Sequence, residues 1–307
     1  MGTEARTRYC NFVSDSARWE GFPFRSDDIV ISTPPKAGTT WTQMICALLI
    51  FQTTTFEAPL DVLSPWVDML TRDRDAVVGE LEQQPHRRFI KSHTPLDGLP
   101  FDDRVTYICV SRDPRDIAFS WDNHMANMDF MAFLSARQAA VGLEDMADML
   151  AQGPPVRPES ELERFWAWVD DETPVAESPA SLRTTLHHLT TFWEVRDEPN
   201  VVLLRYEDLK ADLDGEMAQL AGRLGIVVPP GLWSTLVDAA TFDRMKARAD
   251  EMAPEVRESL WVDNQRFFHR GTSGQWRSLL DDQDTARYDA RVAELAGPEL
   301  AAWVHGG

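Results

Sequence analysis

The chain has 307 residues, 43% of them hydrophobic, which is enough for one large domain or two small ones with a buried core. Its formal net charge of −20 argues against a nucleic-acid or anionic-membrane surface, because both need a net basic face on the protein. An anionic ligand must therefore be held by a local basic site.

Cysteine use and the N-terminal sequence bear on the compartment. Cys10, Cys46 and Cys109 are odd in number and widely spaced, which indicates neither a disulfide framework nor a zinc site. The N-terminus has no basic-then-apolar signal pattern, and the longest apolar run, residues 44–51, is far shorter than the roughly 20 residues that span a bilayer. We expect a cytoplasmic protein without a transmembrane segment.

Four short, apolar runs predict buried strands at residues 28–33, 88–93, 104–112 and 200–206. Helical patterns lie between them, the first with Trp41, Met44, Ile45, Leu48 and Leu49 on one face. This alternation predicts an α/β fold with ligands at the carboxyl ends of parallel strands. The proline-rich stretches at residues 151–158 and 170–179 are predicted to be loops.

The segment "ISTPPKAGTTW" (residues 31–41) lies between the first strand and the first helix. Gly38 permits a close approach of the backbone, and the helix that opens at Thr39 has amides without partners in its first turn. Such a corner binds anions. The order differs from a nucleotide-binding P-loop, because Lys36 precedes the only glycine. A plain strand-turn-helix with an exposed lysine is the alternative.

Two further stretches have the same chemistry. In "VSRDPRDIAFSWDNHM" the third strand ends near Arg112, Asp113 and Pro114 are predicted to begin a helix, and Ser120 lies on that helix. A guanidinium at a strand end can bind a phosphate with two parallel hydrogen bonds. The stretch "FFHRGTSGQWRSLL", which starts at Phe267, adds another Arg-Gly corner. A helix cap with surface ion pairs is the alternative for the first stretch.

These stretches together resemble the cytosolic-type sulfotransferases, and most closely their bacterial members, including glycolipid sulfotransferases. The matching motifs are "PPKAGTTW", "KSHTPLD", "SRDPRDIAFS" and "FFHRGTSGQW". The resemblance implies a single α/β domain over residues 1–307, with a P-loop-like central parallel sheet flanked by helices. It also implies 3′-phosphoadenosine 5′-phosphosulfate (PAPS) as the donor and no metal.

The resemblance assigns roles to individual residues. Lys36 is expected beside the bridging oxygen of the donor, on which negative charge develops during transfer. The other expected donor contacts are Gly38, Thr39 and Thr40 at the 5′-phosphate, Trp41, Tyr206 and Phe242 near the adenine, and Arg112, Ser120, His269, Arg270 and Gly271 at the 3′-phosphate. Core packing is the more common role for any one of these aromatics taken alone.

His93 in "KSHTPLD" is expected to be the catalytic base, since an imidazole with a pKa near 6.5 is largely neutral at pH 7 and can accept a hydroxyl proton. Lys91 lies two residues earlier, on the same side of an extended strand, and is expected to reach the transferring sulfuryl group. The predicted reaction is in-line transfer to a hydroxyl, with catalysis by positioning and by charge stabilisation.

The chain departs from the family pattern in three places. His269 stands where many members have Arg or Lys, Ala240 replaces a hydroxyl residue before Thr241 and Phe242, and no dimerisation motif of the animal type is present, so the oligomeric state stays open. A nucleotide-binding protein without turnover and a P-loop kinase remain as alternative functions.

The acceptor is expected to be a small molecule or a glycolipid with an apolar body. Aromatic and methionine residues on the presumed acceptor side favour an apolar alcohol, phenol or glycolipid. These residues are Trp66, Trp121, Met125, Met128, Phe130, Phe133, Trp166 and Trp168, with core packing as an equal alternative for each. Residues 126–190 are expected to contribute a lid or an insertion that lines the acceptor pocket.

Overall fold

The four predicted strands form the central sheet of the molecule. The structure is a computed structural model that describes residues 6–153, 157–249, 260–267 and 271–306. The strands are β1 (Ile29–Ser32), β2 (Phe89–Ser92), β3 (Thr106–Ser111) and β4 (Val201–Arg205). They lie in the order β2-β1-β3-β4, and all neighbours in this sheet are parallel. The predicted α/β fold with a parallel sheet is confirmed.

Helices connect the strands and flank the sheet. Within the described residues the α-helices are α1 (Thr39–Phe51), α2 (Leu60–Leu63), α3 (Arg74–Gln83), α4 (Pro114–Asn127), α5 (Phe130–Ala140), α6 (Ala147–Gln152), α7 (Glu161–Val169), α8 (Leu182–Trp193), α9 (Tyr206–Ala211), α10 (Leu213–Arg223), α11 (Pro230–Ala239), α12 (Phe242–Ala247), α13 (Asn264–Phe267), α14 (Asp282–Leu295) and α15 (Pro298–His305). Short 3-10 helices lie at Ser16–Trp19, Leu96–Gly98, Glu144–Met146 and Gln275–Ser278. No helix in the described part of the chain is both long enough and apolar enough to cross a membrane.

Successive residues of a strand pack into two different cores, one on each face of the sheet. Ile29 and Ile31 of β1 lie in the core that contains the buried residues of α1. Val30, between them, lies in the core that contains Phe192 of α8. A strand that is buried on both faces needs apolar residues throughout, because neighbouring side chains point in opposite directions. This explains why the strands appear in the sequence as continuous apolar runs.

The strand order brings the ligand-binding loops to one edge of the sheet. β1 lies between β2 and β3. The chain therefore runs from β1 to its neighbour β2 on one side and then crosses back past β1 to β3 on the other side, so the direction of strand order reverses at β1. The register pairs Ser32 with Ser92 and Ser111 with Arg205. Parallel α/β sheets bind ligands in the crevice at such a reversal, outside the carboxyl ends of the strands.

One of the two predicted loops begins later than expected. The stretch at residues 170–179 does lie between α7 and α8. The prediction for residues 151–158 is wrong at Ala151 and Gln152, which form the last residues of α6. Alanine and glutamine favour helices, and the helix ends only at Gly153, whose φ of 76° suits glycine. Residues 154–156 lie outside the described residues.

An ion pair is buried at the amino ends of β1 and β2, opposite to the ligand-binding edge. Arg88 donates from Nε to Oδ1 of Asp28 at 2.8 Å and also bonds the second carboxylate oxygen and the Pro23 carbonyl. The two charged side chains are 0% and 1% exposed. Removing either partner would leave the other charge buried and unpaired.

Replacing Arg88 with methionine is expected to lower the free energy of unfolding by about 3–5 kcal/mol, because the Asp28 carboxylate loses its partner. Urea denaturation of the variant measures this loss. The control is Arg104→Met, since Arg104 pairs with Asp102 at the surface and its side chain is 57% exposed. That variant should lose less than about 1 kcal/mol. Equal losses in the two variants would contradict the prediction.

Candidate active site

A single cavity opens at the carboxyl edge of the sheet and gathers the predicted site residues that the structure describes. Those that line it are Lys36, Gly38, Thr39, Thr40, Trp41, Lys91, His93, Arg112, Ser120, Tyr206, Phe242 and Gly271. His269 and Arg270 lie outside the described residues. Residues from six separate parts of the sequence therefore surround one space.

The loop after β1 has the backbone geometry of an anion site. Gly38 caps α1 without a side chain at a φ of 124°, so no side chain of the cap residue covers the first-turn amides. Lys36 has a φ of 68°, a left-handed conformation that is uncommon for a residue with a Cβ and is often found at functional sites. The hydroxyls of Thr33 and Thr39 lie 2.6 Å apart and join the end of β1 to the start of α1.

Arg112 connects the predicted 3′-phosphate side of the cavity to this loop. Its guanidinium donates from Nη1 to the Lys36 carbonyl at 3.1 Å and from Nη2 to the Thr272 carbonyl at 3.2 Å. It also lies over the Tyr206 ring, 4.4 Å from the centroid. The buried Nε has no hydrogen-bond partner among the described residues. A buried donor of this kind suits an anionic ligand.

The turn after β3 is fixed as the sequence predicts, and Asp116 adds a contact that sequence reasoning missed. Asp113 caps α4 by accepting from the Arg115 amide, with Pro114 as the first helical residue. Asp116 accepts from the Gly274 amide at 2.8 Å and 2.9 Å and from the Gln275 amide at 3.2 Å. This carboxylate joins the loop that follows Gly271 to the start of α4. No motif in the sequence indicates this pairing across more than 150 residues.

The aromatic residues near the loop both pack in the core and line the cavity. Trp41 meets the Tyr206 ring edge-to-face at 5.1 Å and donates its indole N–H to the Ala240 carbonyl at 2.7 Å. Gly271 has a φ of 61°, and a Cβ there would lie 2.8 Å from the Phe242 ring. These contacts leave ring surfaces, rather than the indole N–H, to face a ligand.

His93 is held in one tautomer by its backbone partner. Its Nδ1 lies 2.7 Å from the Thr33 carbonyl oxygen, which can only accept, so Nδ1 carries the proton. Nε2 is therefore the basic nitrogen. Burial, with Lys91 and Lys36 nearby, holds the pKa of His93 well below its usual value of 6.5. Trp66 packs edge-on against the imidazole at 4.8 Å.

Lys91 lies on the same side of the site, with its ammonium 4.2 Å from the centroid of the Trp66 ring. The side chain is buried, since the residue is only 5% exposed. Within the described residues, no group of three or more His, Cys, Asp or Glu side chains is placed to hold a metal ion. The predicted residues thus bring two lysines, an arginine and an imidazole with a lowered pKa to one cavity.

The sequence and the fold both match known proteins. A family model described as "Sulfotransferase domain" matches residues 26–298. The chain belongs to the sulfotransferase family. A glycolipid sulfotransferase of Mycobacterium tuberculosis is 40% identical over 309 residues, which cover 98% of this chain and 95% of that protein.

Solved structures agree with this sulfotransferase in fold. Retinol dehydratase in a complex with retinol and PAP matches with a TM-score of 0.68 and 21% identity, over 91% of this chain and 84% of that one. A mouse sulfotransferase complexed with PAP matches with a TM-score of 0.68 and 18% identity, over 95% and 93% of the two chains. The predicted sulfotransferase fold is confirmed, and the chain is an enzyme that transfers a sulfuryl group.

Sequence reasoning about the acceptor side of the sulfotransferase was correct in part. Trp66, Trp121, Met125, Met128 and Phe133 line the cavity. The remaining three residues do not: Trp166 and Trp168 lie in a core cluster with α4 and α8, and Phe130 packs against Phe133 from outside the cavity lining. For those three residues the alternative of core packing applies, because α7 directs Trp166 and Trp168 into the core of the domain and Phe130, on α5, packs against the cluster that contains Phe133.

The low pKa of His93 leads to a prediction for the pH dependence of this sulfotransferase. A base whose pKa is lowered stays neutral, and so active, until the pH falls to that lowered value. The rate of the chemical step with an aliphatic alcohol should therefore stay flat between about pH 6 and about pH 8. Single-turnover rates across this range measure it. A decline with a midpoint near the ordinary imidazole value would contradict the prediction.

Sequence reasoning also missed His124 on α4. Its Nδ1 lies 3.2 Å from Nζ of Lys36, and the residue lines the cavity. The available signal was its position four residues after Ser120, because residues four apart share a helix face. His187 and His188, in contrast, are outside this cavity: His188 is buried near Ser32, and His187 contacts Tyr9.

Proposed function

We propose that this sulfotransferase transfers the sulfuryl group of PAPS to a hydroxyl group of an apolar acceptor, such as an alcohol, a phenol or a glycolipid. The observation that carries the proposal is that Lys36, Lys91 and His93 line the same cavity as Arg112 and the amino end of α1. A phosphate site and a neutral base thus face one space, as a transfer from a phosphosulfate to a hydroxyl requires.

The donor binds through its two phosphate groups. The backbone of Gly38 and the first turn of α1, with the hydroxyls of Thr39 and Thr40, hold the 5′-phosphate. Arg112 and Ser120 hold the 3′-phosphate, and the buried Nε of Arg112 offers a donor that no described residue uses. Gly271 lines the cavity and is assigned to the same phosphate, and Trp41, Tyr206 and Phe242 pack near the adenine. The family motif alone assigns 3′-phosphate contacts to His269 and Arg270, which lie outside the described residues.

The reaction is a single in-line displacement. The acceptor oxygen forms a bond to sulfur while the bond between sulfur and the bridging phosphate oxygen breaks, and the electron pair of that bond stays on the 5′-phosphate. His93 accepts the hydroxyl proton at Nε2. Lys36 stabilises charge on the bridging oxygen, and Lys91 stabilises the sulfuryl oxygens. The products are the sulfated acceptor and 3′-phosphoadenosine 5′-phosphate (PAP).

The acceptor binds beside His93, on the side of the cavity that is lined by apolar side chains. Trp66, Trp121, Met125, Met128 and Phe133 give this side an apolar, adaptable wall. The glycolipid sulfotransferase of M. tuberculosis supports a glycolipid among the candidate acceptors. An acceptor with a long apolar part and one hydroxyl group fits this wall better than a charged one does.

Residues 126–190 belong to the same domain as the rest of residues 1–307 and form part of the acceptor pocket. Met128 and Phe133 at the start of the segment, and Pro179 near its end, line the cavity. Between them, α7 and α8 pack in the core with α4.

We assign a cytoplasmic location to the enzyme because its three cysteines are free, two of them buried.

Isothermal titration calorimetry with PAP, AMP and ATP, paired with a sulfation assay, tests the proposed function. PAP is expected to bind far more tightly than AMP, because its 3′-phosphate meets Arg112. Binding of PAP without turnover of PAPS on any alcohol or phenol would favour the alternative of a nucleotide-binding protein. Tight binding of ATP with none of PAP would favour a kinase.

Replacing Arg112 with alanine should weaken PAP binding by about 10- to 150-fold, since the lost hydrogen bonds are charge-assisted. The binding of AMP, which lacks the 3′-phosphate, should weaken much less. Calorimetry with both ligands measures the difference. Arg104→Ala, far from the cavity, is the control and should bind both ligands as the wild type does. Equal losses for PAP and AMP would contradict the assignment of Arg112.

A further inference from the structure

The cavity contains a second histidine, whose surroundings differ from those of His93. His124 lies on α4, one helical turn after Ser120, and its Nδ1 is 3.2 Å from Nζ of Lys36. The imidazole packs against the rings of Trp121, at 5.4 Å between centroids, and Trp261, at 4.7 Å. Its orientation is therefore fixed by packing as well as by the lysine.

The partners of the two histidines require opposite tautomers. The Thr33 carbonyl accepts from Nδ1 of His93, so Nε2 of His93 is bare and basic. The Lys36 ammonium can only donate, so Nδ1 of His124 accepts and Nε2 of His124 carries the proton. His124 thus cannot replace His93 as the base while it is bonded to Lys36. Its Nδ1 instead accepts a hydrogen bond from the lysine.

The Lys36 ammonium is held from two directions. His124 accepts from it on one side, and the Phe267 ring lies on another, 4.3 Å from the ammonium to the ring centroid. The backbone of the same residue is fixed by Arg112, which donates to the Lys36 carbonyl. A charge that is held in place before the reaction stabilises the transition state without the cost of reorganisation.

We propose that His124 is a positioning residue for Lys36, which it holds through an Nδ1 acceptor so that the ammonium lies beside the bridging oxygen of the donor. The proposal rests on the proposed function, since the bridging oxygen belongs to PAPS. It adds a role for a side chain on α4 that lies outside the four motifs by which the family was recognised.

Three variants separate the hydrogen bond from the packing. His124→Phe keeps the ring between Trp121 and Trp261 but removes the acceptor. His124→Asn keeps an acceptor oxygen near the position of Nδ1, and His124→Leu has nearly the shape of asparagine without it. We expect kcat to fall by about 10- to 100-fold in the Phe and Leu variants, with a change of less than about threefold in the dissociation constant of PAP. The Asn variant should recover most of the loss.

A double-mutant cycle tests whether His124 acts through Lys36. If it does, adding His124→Leu to Lys36→Met should slow single-turnover sulfation no further than Lys36→Met alone. Losses that multiply would overturn the proposal, and so would equal kcat values for the Asn and Leu variants. Circular dichroism of each variant confirms that the comparison is between folded proteins.

Nitrogen NMR of the ligand-free enzyme tests the same contact without any reaction. With 15N-labelled histidine, and with His124→Asn to assign the signal, His124 should show the neutral form protonated at Nε2. In Lys36→Met that signal should move toward a mixture of tautomers, whereas the signal of His93 should not change. A His124 protonated at Nδ1 would overturn the proposal even if PAPS is the donor. The expected tautomer with no PAP binding would instead refute the proposed function.

Discussion

Sulfation of an aliphatic alcohol is expected to fall by about 10²–10⁴-fold when His93 is replaced with alanine, which is the usual effect of losing a positioned acid-base group. The structure supplies the reason: Nδ1 is fixed on the Thr33 carbonyl, which leaves Nε2 to take the hydroxyl proton. Donor binding should survive, because the phosphate loop and Arg112 remain. Single-turnover assays measure the rate, and calorimetry with PAP measures the binding.

The acceptor and a second histidine provide the controls for this variant. A phenol should lose less rate than an aliphatic alcohol, because a hydroxyl with a pKa near 10 depends less on the base. His86→Ala makes the same change at the opposite end of β2, where the imidazole contacts the Arg87 carbonyl and Phe51. It should react at close to the wild-type rate. Wild-type rates for His93→Ala with both acceptors would show that His93 is not the base.

Replacing Lys36 with methionine is expected to lower kcat by about 10²–10³-fold, the range seen when one group that stabilises transition-state charge is removed. Methionine fills similar space without the charge. The loss of rate should therefore reflect the loss of a cation beside the leaving phosphate, which gains negative charge as the sulfuryl group departs. Single-turnover rates at saturating PAPS separate this effect from any change in donor affinity.

The control for the lysine is Lys210→Met on α9, where the side chain is exposed to solvent. This variant removes one positive charge from the protein without touching the cavity and should leave kcat unchanged. If Lys36→Met raised the KM for PAPS but kept the wild-type kcat, the lysine would bind donor and transition state equally and would not stabilise the leaving group.

The architecture could be predicted from the sequence, and so could a set of candidate site residues that the structure places around one cavity. Short apolar runs separated by helical patterns are enough to specify a parallel sheet, because strands buried on both faces need apolar side chains throughout. The loop with Lys36 and Gly38, the cap at Asp113 and the proposed base His93 are each encoded by neighbouring residues. The local structure of such stretches can be predicted without knowledge of the rest of the chain.

Contacts between residues far apart in the sequence follow from the tertiary structure. Lys36 meets His124 across 88 positions, and Arg112 meets the Lys36 carbonyl across 76. The same holds for the aromatic residues, since Trp121 lines the cavity whereas Trp166 packs in the core. Amphipathic periodicity shows that a helix has an apolar face but not what that face packs against. Whether an apolar face lines a pocket or packs in the core depends on how the helices pack around the sheet.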